Sequence, residues 1–295
     1  VVILALVILP ASFVGMMRLK AAWQEDGIRR FESYQQLRQF LTTHQSDAYW
    51  PYASLDAIGV SLSRESVANA PMDLRYSTTN VQIEGVDEAD LVKTDGEYIY
   101  MISEREGQAL LISAYPPESM ALQSTISLEG SPKGMFVSGN RLVVFEQTCS
   151  IVPLRGEGED GIVGIAPWLG NVSMKVYDLA DKSDPRLIMG YSINGFYSES
   201  RMVEPFVYLV VVEPALIYDE DVILPRIYDC DGVNEITASD IYYYESSEGY
   251  HSFTTVFALD VQDENAEPNY ETFLTASSDA LFMSSDNIYI AQTIW

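Results

Sequence analysis

The residue types best suited to chemistry are scarce in this chain. Only His44 and His251 could carry a proton near neutral pH, and only Cys149 and Cys230 could supply a thiol. A Ser-His-Asp hydrolase needs a histidine beside its nucleophile, and no Gly-x-Ser-x-Gly elbow is present. His44 closes a helical stretch and His251 opens the strand-like Ser252–Leu259, so each reads as a structural or exposed side chain. Two cysteines exclude a four-thiolate zinc site and a disulfide-rich scaffold, and two histidines exclude a His-rich metal centre. Cys149 and Cys230 lie 81 residues apart, in or beside two irregular segments. Outside a cell they could form a disulfide; the alternative is two buried free thiols.

Carboxylates are abundant instead. Asp plus Glu number 43 against 17 Lys plus Arg, a formal charge of −26 over 295 residues. Such a surface repels phosphate, which argues against nucleic acid or an anionic membrane surface as partner. Acids cluster at Asp87, Glu88 and Asp90, at Asp219, Glu220 and Asp221, and at Asp229 and Asp231. Two carboxylates across a pocket could hydrolyse a glycoside, but with this many acids a solvated surface is the simpler reading. Asp229-Cys-Asp-Gly232 starts like a calcium loop and lacks its later acids. Asp178, Asp181 and Asp184 before Pro185 read as turn formers, with Ca2+ as the alternative at either place. No residue is assigned catalysis, a metal or another cofactor. Tyr218, Tyr228, Tyr242, Tyr243, Tyr244 and Tyr250 stand among acids in one segment. They suit either a recognition surface or a loop packing on its own domain. Asn171-Val-Ser173 is a lone glycosylation triplet expected in a loop.

The elements that would position these residues begin with Val1–Met17, an uncharged aliphatic run followed by Arg18 and Lys20. Residues 1–19 read as an export signal or membrane anchor. Residues 24–44 read as a helix: Ser33 and Gln36 fit a capping box, and Tyr34, Leu37, Phe40 and Leu41 share one face. Residues 45–75 read as a polar linker. From residue 76 onward, short runs of Val, Ile, Tyr and Phe alternate with Gly, Asp, Asn, Ser and Pro, an all-β pattern.

A unit repeats within that region. Val92–Ile102, Val137–Phe145, Met202–Val210 and Met283–Ile290 each place a hydrophobic residue, a polar turn and then an apolar strand. The strands are apolar on both faces, as strands buried between stacked sheets should be. A second element, Val176–Asp181 followed by Pro185, matches Ala258–Asp263 followed by Pro268, with a weaker copy at Ile112–Pro117. From it to the next turn is 22, 24 and 23 residues in the three copies. The full periods are 45, 65 and 81 residues, against roughly 40–50 for a propeller blade. Insertions at 147–171 and 214–250 account for the excess, and loop insertions cost little. The chain therefore reads as mainly β, a partial β-propeller of about three to four blades, each a four-stranded antiparallel sheet. An anchor and a short helix precede it. A β-sandwich, the rival, has no reason to repeat the unit in order. Ile288–Trp295 reads as a strand, so the propeller is expected to be C-terminally incomplete.

The run Tyr76-Ser-Thr-Thr-Asn-Val-Gln-Ile-Glu-Gly-Val-Asp-Glu-Ala-Asp-Leu-Val-Lys-Thr-Asp-Gly96 resembles a known family. So do Phe31–Leu41 and Phe196-Tyr-Ser-Glu-Ser-Arg201. The family comprises secreted or membrane-anchored archaeal and bacterial proteins with a C-terminal β-propeller distantly related to WD repeats. The resemblance implies an exported propeller and brings no catalytic residues. The expected function is a cell-surface binding or scaffolding module for an extracellular protein or glycan, touching membrane only through its N-terminal segment. The alternative is an extracellular hydrolase of polysaccharide or peptide with carboxylates at the propeller axis.

Overall fold

The structure, a computed structural model, describes residues 2–8, 19–21, 28–44, 83, 85–150, 153–155, 162–165, 169–218, 220–244, 250–276, 278–284 and 287–292. Among the described residues, four larger sheets follow one another along the chain, with two-stranded ribbons at Pro153–Arg155 with Ile162–Ile165 and at Ile217–Tyr218 with Asp221–Val222. The first is an antiparallel meander of Val92–Thr94, Tyr98–Ser103, Gln108–Ser113 and Ala121–Ser127. The second is built on Ser131–Ser138, Arg141–Ser150, Leu169–Asp178 and Arg186–Asn194. The third is built on Phe196–Val203, Phe206–Pro214, His251–Asp260 and Asn269–Ala276. Ser278–Met283 and Asn287–Gln292 form the core of the fourth. Each repeated turn-strand unit is the hairpin joining the first and second strands of a sheet. Each copy of the second element is the turn from third to fourth strand.

Alternation along the central strands feeds two different cores. In the second sheet Leu142 and Val144 face the first sheet, beside Tyr100, Leu111 and Met135. Val143 and Phe145 face the third, beside Met174, Val176, Leu209 and Phe257. In the third sheet Val207, Leu209 and Val211 turn back to the second, while Tyr208 and Val210 meet Val256, Met283 and Ile288 on the side of the fourth. A period of two sends successive side chains to opposite faces. With both faces covered, each buried Val, Leu or Phe contributes about 1.5–3 kcal/mol.

The helix is Tyr34–His44, with Leu37, Phe40 and Leu41 buried. The Ser33 Oγ accepts from the Gln36 N–H at 3.2 Å, and the Gln36 side chain accepts from the Glu32 N–H at 2.6 Å. The cap thus reaches one residue further back than the sequence pattern suggests. Residues 28–33 are not a continuation of this helix: Ile28–Arg30 is a strand, antiparallel to Ile241–Tyr244 of the large insertion. The short strand carries polar Arg29 and Arg30 at its exposed edge and gains backbone hydrogen bonds there. The linker 45–75 lies outside the described residues. The first insertion is shorter than 147–171, because Gln147–Ser150 and Leu169–Asn171 continue a ten-residue ladder. Asn171 consequently lies within a strand, opposite Thr148 and Asn194, and not in a loop.

At the N-terminus, Val2–Ile8 is extended and antiparallel to Asn287–Gln292, and Leu19–Ala21 pairs on its far side. Of the aliphatic run expected to form an anchor, the described residues 2–8 are a strand of the fourth sheet. Its Val and Ile content suits a strand, and an open sheet edge offers unpaired backbone groups. Among the described residues no helix is long and apolar enough to cross a membrane.

One residue, Gly195, links the second sheet to the third. Its φ is +120°, and a Cβ there would lie 2.8 Å from Val211 Cγ1 and 2.8 Å from the Val212 carbonyl oxygen. Gly195 donates its N–H to the Gly170 carbonyl at 2.7 Å. Gln147 completes the joint, donating to the Gly195 and Asn171 carbonyls and accepting from the Tyr197 N–H. Gly195→Ala should therefore lower unfolding free energy by about 2–4 kcal/mol in urea melts, whereas Gly190→Ala, with open space around it, should change it by less than about 1 kcal/mol.

Candidate binding cleft and the ion pairs between sheets

The large insertion leaves the end of strand Phe206–Pro214 and returns at His251–Asp260, between the second and third strands of its sheet. The first insertion occupies the same position in the second sheet. Arg226–Tyr228 and Val233–Glu235 extend the second sheet beyond Arg186–Asn194. Ile241–Tyr244 extends the third, parallel to Asn269–Ala276. The insertion thereby straps the two sheets together, and the helix packs over it. Tyr34 Oη donates to Asp221 Oδ1 at 3.1 Å and accepts from the Val222 N–H at 2.7 Å.

Beneath this strap is an open cleft of about 710 Å³ lined by Tyr34, Asn194, Glu213, Tyr218, Asp221, Arg226, Tyr228 and Glu235. Tyr218 is exposed. Tyr228 donates to Asn194 Oδ1 at 3.3 Å. Arg226 holds Glu235 at 2.7 Å. Glu213 lies at the floor, 6% exposed. It occupies the core-facing register of its strand, after Val207, Leu209 and Val211, and pairs across the ladder with Phe253. Its Oε2 has no hydrogen-bond partner among the described residues. Burial pushes its carboxyl up to about 7, with the nearby Arg226 opposing the rise.

The six candidate tyrosines separate into two groups. Tyr218 and Tyr228 line the cleft. Tyr243 is buried and stacked on Phe31, ring centroids 3.9 Å apart. Tyr242 carries the Arg30 guanidinium 4.3 Å above its ring and accepts a hydrogen bond from it. Tyr244 pairs opposite Ile28, and Tyr250 is half-buried just ahead of the third strand. These last four lie where the insertion packs on its own domain or at its edge. Both histidines flank Phe40: His44 stacks on it and His251 meets it edge-on at 5.4 Å.

Cys149 and Cys230 are free and exposed, so the bridge considered from sequence is absent here, as are buried thiols. Asp229 spends an oxygen on the Asp231 and Gly232 N–H groups. Asp181 does the same for Ser183, and Asp178 pairs with Arg141 at 2.8 Å. These are turn and ion-pair roles. Among the described residues, no group of three or more His, Cys, Asp or Glu side chains is placed to hold a metal ion.

The carboxylates of the long motif have a different setting. Asp87–Glu88 adds a short strand to Phe196–Val203, with Glu88 opposite Arg201 and Asp87 opposite Met202. Asp90 bridges to Met135 in the first strand of the second sheet, and Val92–Thr94 begins the first sheet. One segment thus ties together the first strands of three sheets. Buried Lys93 donates to Asp87 Oδ1 at 2.7 Å and to the Glu88 carbonyl at 2.6 Å. Arg201 pairs with Glu88 at 3.6 Å and Glu199 at 3.1 Å. Burial raises the Glu199 carboxyl, with Arg201 opposing. Sequence reading singled out these acids but not their cations; the signal was Lys93 and Arg201 standing at inward strand positions. It also missed Glu213, although a Glu at the core register of Phe206-Val-Tyr-Leu-Val-Val-Val-Glu213 is legible.

A family described as beta propeller domain matches residues 76–295, and the chain belongs to it. Among curated proteins, it is 25% identical over 257 residues to an uncharacterized protein of Methanocaldococcus jannaschii, covering 82% of this chain and 33% of that one. It is also 25% identical over 228 residues to an uncharacterized protein of Archaeoglobus fulgidus, covering 73% of this chain and 32% of the other. The chain spans about a third of the length of these relatives. No solved structure matches.

Two measurements follow from these charges. Lys93→Met leaves Asp87 beside a buried, unpaired position, and should cost about 3–5 kcal/mol of stability; Lys93→Met with Asp87→Leu should recover most of it. For Glu213, the folded acid keeps its proton to about pH 7, whereas an unfolded one loses it near 4.5. The native state thus binds more protons between these values. Stability should fall by about 3 kcal/mol as pH rises from 4.5 to 7, and Glu213→Gln should remove that part of the slope. Glu271, also pushed up to about 7 by burial with Arg30 opposing, supplies a slope that persists in the variant.

Proposed function

We propose that this propeller is an exported binding or scaffolding module that recognises an extracellular partner through the cleft under the 214–250 insertion. The observation that carries this reading is the cleft itself. An insertion of irregular sequence is folded rigidly across two sheets, and it sets Tyr218, Tyr228 and Arg226 around an open space with a buried carboxylate at its floor. Concave sites with few convergent polar groups and aromatic walls suit ligand recognition. The hydrolase alternative called for carboxylates at the axis. The acids clustered at the first strands of the sheets, Asp87, Glu88 and Glu199, are matched by Lys93 and Arg201, an arrangement that serves cohesion between sheets. Export rests on the aliphatic residues 1–19, the acidic surface and the resemblance set out above.

Capture of extracellular partners on the full protein tests the cleft. Tyr218→Ala with Tyr228→Ala should reduce capture about tenfold or more, since aromatic anchors dominate binding energy, while Tyr115→Ala, exposed on the first sheet, should not. Equal capture by all three proteins rejects the cleft. Flotation of the full protein with membranes tests attachment: loss on removing residues 1–19 is expected, and recovery only in the soluble fraction before removal rejects it.

A further inference from the structure

We propose that the recess at Glu213 receives the ammonium group of a lysine side chain presented by a protein partner; this rests on the cleft reading above and names its ligand chemistry. Two buried glutamates in this chain make the contrast. Glu146, fully buried, accepts the N–H groups of Glu129 and Gly130 and pairs with Lys175 at 3.1 Å. Its charge is met from within the chain. Glu213 is almost as deeply buried, yet Oε2 has no donor among the described residues. Gly170 and Gly195 also border the recess, and the Gly195 N–H is given to the Gly170 carbonyl. Arg226, the cation nearest in charge effect, is held at Glu235. A buried carboxylate in this state calls for an outside donor, preferably a charged one.

Size and lining select the donor. Beside Glu213 is a recess of about 10 Å³ walled by Phe196, Pro214, Leu216 and Ile223. That is room for one water-sized group. An ammonium head meets this limit; a planar guanidinium does not. The methylene stem behind a lysine ammonium would lie in the wider cleft, whose lining includes Val222, Ile223 and Leu224, whereas an amino sugar carries its nitrogen directly on a ring, without a stem to reach the floor. Around the cleft, Asp221 and Glu235 outnumber Arg226, and Tyr34, Tyr218 and Tyr228 are aromatic members of the lining. The net charge of −26 draws cations towards the domain in general, so the test must separate the recess from the surface.

The probe is Nα-acetyl-lysine amide, titrated into the full chain at about 0.15 M salt to screen the surface. The norleucine and arginine analogues and glucosamine serve as comparisons. The 13C carboxyl resonance of Glu213 is followed. The lysine probe should saturate that resonance, and affinity should fall about tenfold or more in Glu213→Gln and weaken below pH 7 as Glu213 takes up its proton. Equal affinity for arginine, or an unchanged affinity in Glu213→Gln, overturns the proposal and leaves surface attraction or a bound water as the occupant. If Glu213→Gln does not fold, the wild-type titration decides: a saturating lysine probe should lower the pH at which Glu213 ionises, and an unmoved midpoint overturns the proposal. Partner capture that needs Tyr218 and Tyr228 but survives Glu213→Gln removes this inference and leaves the cleft reading standing.

Discussion

The inner strands of the second and third sheets have no solvent face, and the rest of the molecule follows from that. A strand in an ordinary antiparallel layer hides one side and hydrates the other. Here Leu142 and Val144 enter one core, Val143 and Phe145 the next, and the same division holds for Val207 to Val211. Each sheet can be stable only between two neighbours. Sheets must therefore be stacked in series, their joints must be short, and anything irregular must be expelled to the ends of the strands. The enlarged connections between second and third strands are where the chain carries the irregularity.

Polar groups inside such a stack must be matched or exploited. At the first strands of three sheets they are matched. The motif at 85–94 runs across them, its backbone pairs with two, and Lys93 and Arg201 answer Asp87, Glu88 and Glu199. Ion pairs in this setting contribute little net stability compared with apolar contacts, but breaking one is costly. They fix which sheet neighbours which. At the far end of the third sheet the chain does otherwise. Glu213 continues the core register one step past Val211, where packing gives way to the insertion, and its oxygen is left for something else.

The insertion owes its order to the sheets beside it. Arg226–Tyr228 and Ile241–Tyr244 each have two neighbours because the second and third sheets offer their outer edges. The segment Ile28–Arg30 and the helix then cover it, through Phe31, Phe40 and Tyr243. Four of six tyrosines in the insertion region are thereby drawn into packing or onto the domain's edge, and two face the open cleft.

The amino-acid order alone determined the repeat, because a strand buried on both faces must be written as an unbroken apolar run, and a tight reversal must be written in Gly, Asn, Asp and Ser. It also determined the helix face of Leu37, Phe40 and Leu41 and the two places where the chain departs from its period. Only the tertiary structure decided what sits beside what. The pairing of Glu88 with Arg201, 113 residues apart in sequence, depends on sheets meeting edge to edge. So does the choice of Tyr218 and Tyr228 over Tyr242 and Tyr243, since composition is the same along the insertion and the difference lies in which strand edge each reaches. The state of Glu213 belongs to the same class. Its register is written in the chain, but whether a buried carboxylate finds a donor is settled by groups brought from Gly170, Gly195 and Arg226, and local sequence carries no record of those distances.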